Sequence, residues 1–418
     1  MKGKILQLAI LFQIFFVANV QSQSTWQTQS APVSTDLISV CFTDTSHGWI
    51  ASENGMILYT EDAGKDWQSL AQIENFIPSK LWFNSTQLGW IAGKFTNRAD
   101  TAFILRTVNG GGDWEIIFEG AGITLNDLFF INDTMGWTVG WELTGNDPVS
   151  LILHTVNGGD MWVMPQGPRI QNELYSIHFR DVDYGQACGQ DGIFFTTNNG
   201  GRNELSGWAM NIAIPSFGKD LYDIFNGGND YGCAVGEGGF VLFTKDKWAN
   251  HLDYNTTSGD TLLAVTGLAD GTGIWAAGRN GYVAGIQYSF LGLGVYEENH
   301  ITSHDLNDIM AVDDHHIWAV GDNGTIIFRG MNPTGIHDNV AQKHFSVFPN
   351  PAGDYIHISC ISNDNVNGIS MFSADGRLVE FNRHTGGFTE KVLDVSGLPE
   401  GFYLLKVNSE IYKITVAR

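Results

Sequence analysis

Basic side chains are scarce in this sequence: 22 Lys and Arg among 418 residues, against 45 Asp and Glu, for a formal charge of −23. A chain of that sign has no surface with which to neutralise a polyphosphate, so nucleic acid is excluded as a partner. Charged residues of both signs reach only 16%, below the usual share of about a quarter. The 43% of hydrophobic residues is still ample for a large buried core, which excludes a disordered chain. Cysteine is sparse too. Cys41, Cys188, Cys233 and Cys360 are too few and too scattered for a disulfide scaffold, so buried free thiols are expected. Cys188 and Cys233 fall in corresponding strands of neighbouring repeats, so a bridge between them is the pairing left open. After the first 20 residues no apolar run is long enough to span a bilayer, so no transmembrane anchor is expected.

What is abundant is glycine, 50 residues, with 13 Trp and 26 Phe, the composition of short strands joined by tight turns. The N-terminus reads as a secretory signal peptide over residues 1–22. Lys2 and Lys4 precede an apolar run, and Val20 and Ser22 stand at the small-residue positions before a cut that leaves Gln23 first.

A phrase of about 43 residues then recurs. Its clearest copy runs through Ile38 to Phe42, Gly48-Trp49, a turn at Asn54-Gly55, a strand Met56 to Thr60, and Asp62, Gly64 and Trp67. Later anchors are Gly89-Trp90, Gly136-Trp137, Gly185-Gln186, Gly232-Cys233, Ile274-Trp275 and Ile317-Trp318, making seven copies. Five copies carry a two-residue hairpin signal: Asn54-Gly55, Asp191-Gly192, Gly238-Gly239, Asn280-Gly281 and Asn323-Gly324. Such pairs tolerate the positive φ angles of a type I′ turn, which predicts antiparallel pairing. Thr60 to Trp67, Thr107 to Trp114 and Thr155 to Trp162 share Thr-x-Asp/Asn-x-Gly-x-x-Trp, and a weaker copy at Thr197, Asn199 and Gly201 lacks the Trp spacing. Four strands repeated seven times predict an all-β fold, a seven-bladed β-propeller over residues 23–331. The seventh copy stops at Gly330 without a fourth strand, while Thr25-Trp26-Gln27 resembles Asp66-Trp67-Gln68. The segment near Trp26 is therefore expected to close the ring as the outer strand of the last blade.

These turns resemble the Asp-box of sialidase-like propellers, and the whole phrase is similar to the photosystem II assembly and stability factor family. The resemblance implies the propeller fold; it does not fix an activity. Sialidase chemistry is not indicated, because Arg98, Arg106, Arg169, Arg180, Arg202, Arg279 and Arg329 stand outside a Phe-Arg-Ile-Pro phrase.

Residues 332–343 are polar and turn-rich, as a linker would be. Residues 344–418 then alternate in short strands, predicting a small immunoglobulin-like β-sandwich. Its phrases, Phe348-Pro349-Asn350-Pro351, Asp375-Gly376-Arg377 and Gly401-Phe402-Tyr403, resemble the C-terminal sorting domain of the type IX secretion system of Bacteroidetes. That resemblance implies the type IX machinery as a partner, and a secreted or outer cell-surface location in a Gram-negative bacterium. From residue 344 onward six basic and eight acidic side chains nearly balance, so the acidity belongs to the propeller.

Candidate chemistry is thin. Asp313-Asp314-His315-His316, and His300 with His304, have ligand-type side chains, but the first group occupies a strand-to-strand turn, and no metal or cofactor is expected. Asp127, Asp223 and Asp308 recur in the innermost strands, placed to cap backbone groups beside the central channel or to hold a cation there. Blades 2 and 3 carry hairpin insertions at 94–102 and 141–150, which would join the segment 288–305 in one recognition surface. Arg98, Asp100, Trp141, Glu142 and Asp147 are its candidate ligand-binding residues. The expected function is a secreted or cell-surface binding propeller for a protein or glycan ligand, without catalysis. The alternatives are an extracellular glycoside hydrolase acting through paired carboxylates and an extracytoplasmic assembly factor.

Overall fold

The computed structural model describes residues 25–330 apart from 99, 166, 203–206, 212–217, 269, 272 and 290–291. Further on it describes 345–348, 352–360, 369–373, 378–379, 390–407 and 410–417. Residues 1–22, expected as a signal peptide, residues 332–343, expected as a linker, and the motif residues Pro349, Asn350, Pro351, Gly376 and Arg377 lie outside the described residues. The chain divides into two compact units, Met1–Pro333 and Thr334–Arg418.

The first unit is a seven-bladed propeller. Blade 1 is the meander Leu37–Phe42, Gly48–Ser52, Met56–Thr60 and Gln68–Gln72. The innermost strands of the next six blades are Phe76–Phe83, Ile123–Phe130, Leu174–Phe179, Leu221–Asn226, Leu262–Gly267 and Leu306–Asp313. They contact one another in cyclic order, and the last contacts the first. Thr25–Gln29 pairs antiparallel with Thr325–Gly330, Trp26 opposite Arg329, and supplies the outermost strand of blade 7.

The Gly-Trp phrase has a packing cause. Phe42 lies opposite Gly48 in its own blade, and a Cβ at Gly48 would come within 2.4 Å of the Phe42 ring. That same ring stacks on Trp318 of the preceding blade, with centroids 3.5 Å apart. The arrangement repeats as Phe83 on Trp49, Phe130 on Trp90 and Phe179 on Trp137, at 4.0, 3.7 and 3.6 Å. Each Trp also reaches into the next blade's turn: the indole N–H groups of Trp49, Trp90, Trp137 and Trp318 donate to the carbonyls of Gly110, Gly158, Gly200 and Ala63. Four seams are thus locked by a stack and a hydrogen bond.

The seam between blades 4 and 5 is built differently. Gln186 replaces the Trp and Asn226 replaces the Phe. Here Tyr184 donates to the carbonyl of Lys247 and Asn226 Nδ2 to the carbonyl of His178, while within blade 5 Trp248 donates to Asn226.

Several local expectations need correction. Four hairpins have two successive residues of positive φ, as in Asp191 and Gly192, but blade 1 does not. Asn54 stays outside that region because its side chain accepts from Ser52 Oγ and Met56 N, leaving Gly55 alone at +83°. Blade 3 has three strands, its fourth reduced to a bridge between His154 and Val163. Blade 4 does lack the Trp spacing, but a Trp from further along takes the same seat: Trp208 packs edge-on to Phe179 at 5.7 Å and 88°, as Trp67 does to Phe42 at 5.8 Å and 86°. The segment 288–305 is not a recognition loop, because Gly292–His300 pairs with Tyr282–Ser289 as the outer strand of blade 6. Cys41, Cys188 and Cys233 are buried free thiols.

The second unit is a two-sheet sandwich. One sheet holds Phe345–Phe348, Tyr355–Cys360 and Glu390–Asp394; the other holds Leu378–Val379, Ile369–Ser373, Gly401–Val407 and Glu410–Val416. Ile356, Ile358, Met371, Leu405 and Ile414 fill the space between. Of the motif residues described, Tyr403 is buried and donates to the carbonyl of Pro399 at 2.8 Å, as in a tyrosine corner. Gly401 takes a φ of +152°, a conformation open to glycine.

Candidate binding site at the central channel

Every innermost strand carries a β-bulge at the same place, near its hairpin-side end. A bulge re-aims the residues around it. The residue after the bulge is Ser39, Lys80, Asp127, Ser176, Asp223, Ala264 and Asp308 in blades 1 to 7, a ring of mostly polar side chains around the channel.

The aspartates clasp adjacent blades. Asp308 accepts the N–H of Ile309 in its own strand and that of Val40 in blade 1, at 3.0 and 2.9 Å. Asp127 accepts Leu128 N and, in blade 4, Ile177 N, both at 2.8 Å. Asp223 accepts Ile224 N at 2.8 Å and, in blade 6, Val265 N at 2.7 Å. Capping of backbone groups is therefore what these carboxylates do. Lys80 reaches across to both oxygens of Asp308 at 3.0 Å. Burial alone would lower its ammonium, but the Asp308, Asp127 and Asp223 carboxylates outweigh that and hold it above the usual lysine range.

Two residues further along, away from the hairpin side, the channel wall turns aromatic. Trp82, Phe129, His178 and Phe225 form a continuous arc with successive ring centroids 4.7, 4.6 and 5.1 Å apart. Burial lowers the His178 imidazole to about 3, with Lys80 adding to the effect, and its Nδ1 accepts the N–H of Asn226. Ring and arc enclose a cavity of about 100 Å³.

On the hairpin side the bulged residues themselves form the rim. Tyr175 and Tyr222 stack there, with centroids 5.5 Å apart and planes 22° from parallel. Both are half-buried, and the Tyr222 hydroxyl reaches Asp220 at 3.5 Å. Burial, then the Asp220 and Glu173 carboxylates, raise the Tyr175 phenol. Burial and Asp220 likewise raise the Glu173 carboxyl. The rim also has a structural duty: Asp220, Asp305 and Asp36 accept the N–H of Asp191, Asn280 and Asn323 at the preceding blade's hairpin.

The five candidate residues lie on the lengthened hairpins of blades 2 and 3. Arg98 pairs with Glu119 and lies 5.0 Å over the Phe103 ring. Glu142 pairs with Arg169, and Asp147 accepts from Gln171 at 2.9 Å. Trp141 is half-buried in the ladder between Thr124 and Ser150, and Asp100 is exposed. Among the described residues no hydrogen bond or ion pair joins any two of the five.

The histidine groups are apart. Asp313 accepts His315 N and contacts His316 Nδ1 as a turn, like Asp44 with His47. His300 contacts Asp260, and His304 contacts Thr325. Among the described residues no group of three or more His, Cys, Asp or Glu is placed to hold a metal. The ring aspartates Asp127, Asp223 and Asp308 were legible in the sequence as capping groups; the tyrosine pair, Ser39, Ser176 and Lys80 of the ring, and the aromatic arc were missed. The available signal was the shared offset of Tyr175 and Tyr222 from the Leu that opens each innermost strand.

Comparison with known proteins agrees with this architecture. Residues 18–123 match the family described as Photosynthesis system II assembly factor YCF48, and residues 346–417 match the Secretion system C-terminal sorting domain. The photosystem II assembly lipoprotein Ycf48 of Synechococcus sp. (strain CC9902) is 36% identical over 77 residues, 18% of this chain and 23% of that protein. The matched stretch therefore spans about a quarter of that relative. A solved structure of YCF48 bound to D1 peptide covers 73% of this chain and 96% of its own, with a TM-score of 0.55 and 16% identity. YCF48 from Cyanidioschyzon merolae gives 0.56 and 18%, covering 73% and 98%. At such identities the structural likeness speaks for the fold. The chain thus carries two recognisable modules: a seven-bladed propeller with the repeat of the YCF48 assembly factors, and a secretion system C-terminal sorting domain that marks it for export.

Proposed function

We propose that this protein is an exported binding propeller, acting when secreted or displayed at the outer surface of a Gram-negative cell. Its hairpin face receives a segment of a partner protein at the mouth of the channel. The observation that carries the reading is the stacked Tyr175–Tyr222 pair, half-exposed on that rim beside Glu173 and Asp220. Tyrosines offer a large, rigid contact surface with a polar tip and are favoured anchors in protein recognition. The hairpins bearing Arg98, Asp100, Trp141, Glu142 and Asp147 extend the same face. The YCF48 structure with a D1 peptide supports a peptide rather than a glycan, as a precedent in the same fold. Hydrolysis is less well supported, because Asp127 and Asp223, the facing carboxylates, are each held by two backbone N–H groups and by Ser176. The leader at residues 1–22 and the sorting domain supply the route outward, with the type IX machinery as the partner in transit.

The test is to screen the chain from residue 23 onward on peptide and glycan arrays in parallel. Peptide binding that falls roughly tenfold or more in the Tyr175→Ala/Tyr222→Ala variant supports the proposal. Binding confined to glycans, or untouched by that variant, overturns it.

A further inference from the structure

Ser176 stands between two carboxylates. Its Oγ lies 2.9 Å from Asp127 Oδ2 and 2.6 Å from Asp223 Oδ1. A serine hydroxyl has one hydrogen, so it can donate to one of them. If both carboxylates were ionised, the other contact would set two oxygen lone pairs against each other at hydrogen-bond distance with no proton between. Backbone donors do not supply it: the N–H groups of Leu128 and Ile177 go to Asp127, and those of Ile224 and Val265 to Asp223. Blade 1 provides the contrast. There Ser39 donates to Asp308 at 2.8 Å and accepts the N–H of Leu81, and the next blade's ring position holds Lys80 rather than a second aspartate.

We infer that Asp223 is held as the neutral carboxylic acid, donating its proton to Ser176 Oγ while Ser176 donates its own hydrogen to the Asp127 carboxylate, a proton relay that ties blades 3, 4 and 5 together. The shorter contact falls on the acid, the stronger donor, as expected for O–H···O geometry. Burial pushes the Asp223 carboxyl up to about 7, with Lys80 opposing and Asp127 adding to the rise. The other titratable groups around it are Lys80 from blade 2, Asp308 from blade 7, the neutral His178 from blade 4, and the thiols of Cys188 and Cys233, which burial raises. From blade 6 it meets the Val265 N–H.

The relay crosses a seam that lacks the Trp and Phe stack, between blades 4 and 5, so losing the proton weakens the ring there. The folded chain holds a proton that the unfolded chain releases near the ordinary aspartate value. This site's contribution to stability therefore falls as pH rises from that value to about 7 and is constant above it.

The experiment is a carboxyl-carbon NMR titration of the full exported chain, with Asp223 assigned from Asp223→Asn, alongside hydrogen exchange corrected for intrinsic rates. Asp223 is expected to ionise near neutrality. Protection at Ile177, Ile224 and Val265 should then fall as pH rises from about 5 to about 7 and stay level above that, while Val40 and Ile309 at the Asp308 clasp keep theirs. Ser176→Ala should move the titration down, and Ser176→Thr, which keeps the hydroxyl, should restore it. An Asp223 carboxyl that ionises in the ordinary range overturns the inference. So does protection lost equally at both clasps, or a titration replaced by dependence on sodium, potassium or calcium.

Discussion

The indole of Trp318, in the last blade, lies on the ring of Phe42 in the first, with centroids 3.5 Å apart and planes 10° from parallel. The Trp318 N–H donates to the carbonyl of Ala63, 255 positions away in sequence. The contact that repeats along the first four blades is thus also the contact that shuts the ring.

Removing the ring of Phe42 should open that closure. Phe42→Ala is expected to cost about 3–5 kcal/mol, as for other buried aromatic truncations. Gly48→Ala should cost about 1–3 kcal/mol by forcing a methyl against the same ring. Urea denaturation of the exported chain, followed by Trp fluorescence, measures both. A Phe42→Ala loss within the range of surface substitutions would show that the stack does not hold the seam.

Lys80 and Asp308 should behave as a coupled pair. Lys80→Met leaves the Asp308 carboxylate, 4% exposed, without its cation and is expected to cost about 3–5 kcal/mol. Combining it with Asp308→Asn should cost less than the sum of the two single changes, because no unpaired charge remains. A double-mutant cycle by chemical denaturation reads the coupling, and strict additivity would refute it.

The turns after the third strands of blades 1 and 5 give a dependence on acid. The N–H of Asp66, with help from Thr60 and from Lys65, holds the Asp62 carboxyl below its usual range. Hydrogen bonds from Asn250 do the same at Asp246. Groups depressed in the folded state add stability above their unfolded value and lose it as pH falls through the folded one. Asp62→Ala should therefore lower the melting temperature at neutral pH, and the gap to the parent should close as pH drops below about 4. A gap independent of pH would mean the side chain acts without its charge.

For the second unit, Tyr403→Phe removes one buried hydrogen bond to Pro399 and should cost that domain about 1 kcal/mol. Deleting residues 344–418 should stop the propeller short of the cell exterior, which fractionation and surface proteolysis would detect. Unchanged arrival outside the cell would show that the sorting domain is dispensable.

Residues 38–67 already spell out a blade, because strand, turn and hairpin are local: Gly-Trp, Asn-Gly and Thr-x-Asp act within a few positions of one another. Where an insertion changed the spacing the pattern failed. Trp208 still fills the aromatic seat of blade 4, but its distance from Thr197 hid it. Gly292–His300 looked like a loop because its two ends are glycine-rich and polar. Insertions on blades 2 and 3 drew attention to Arg98 and Glu142, each of which has found a partner of opposite sign in Glu119 and Arg169.

Composition, repeat period and turn signals alone determined the class of fold and the number of blades, and the resemblance of short phrases pointed to both modules, since these rest on local patterns that persist through substitution. Only the folded ring decided that Ser176 would face two carboxylates, that Lys80 would answer Asp308 across 228 positions, and that Tyr175 would stack on Tyr222. Those contacts join different blades. Their geometry exists only once seven bulged strands converge on one axis, which no single repeat specifies.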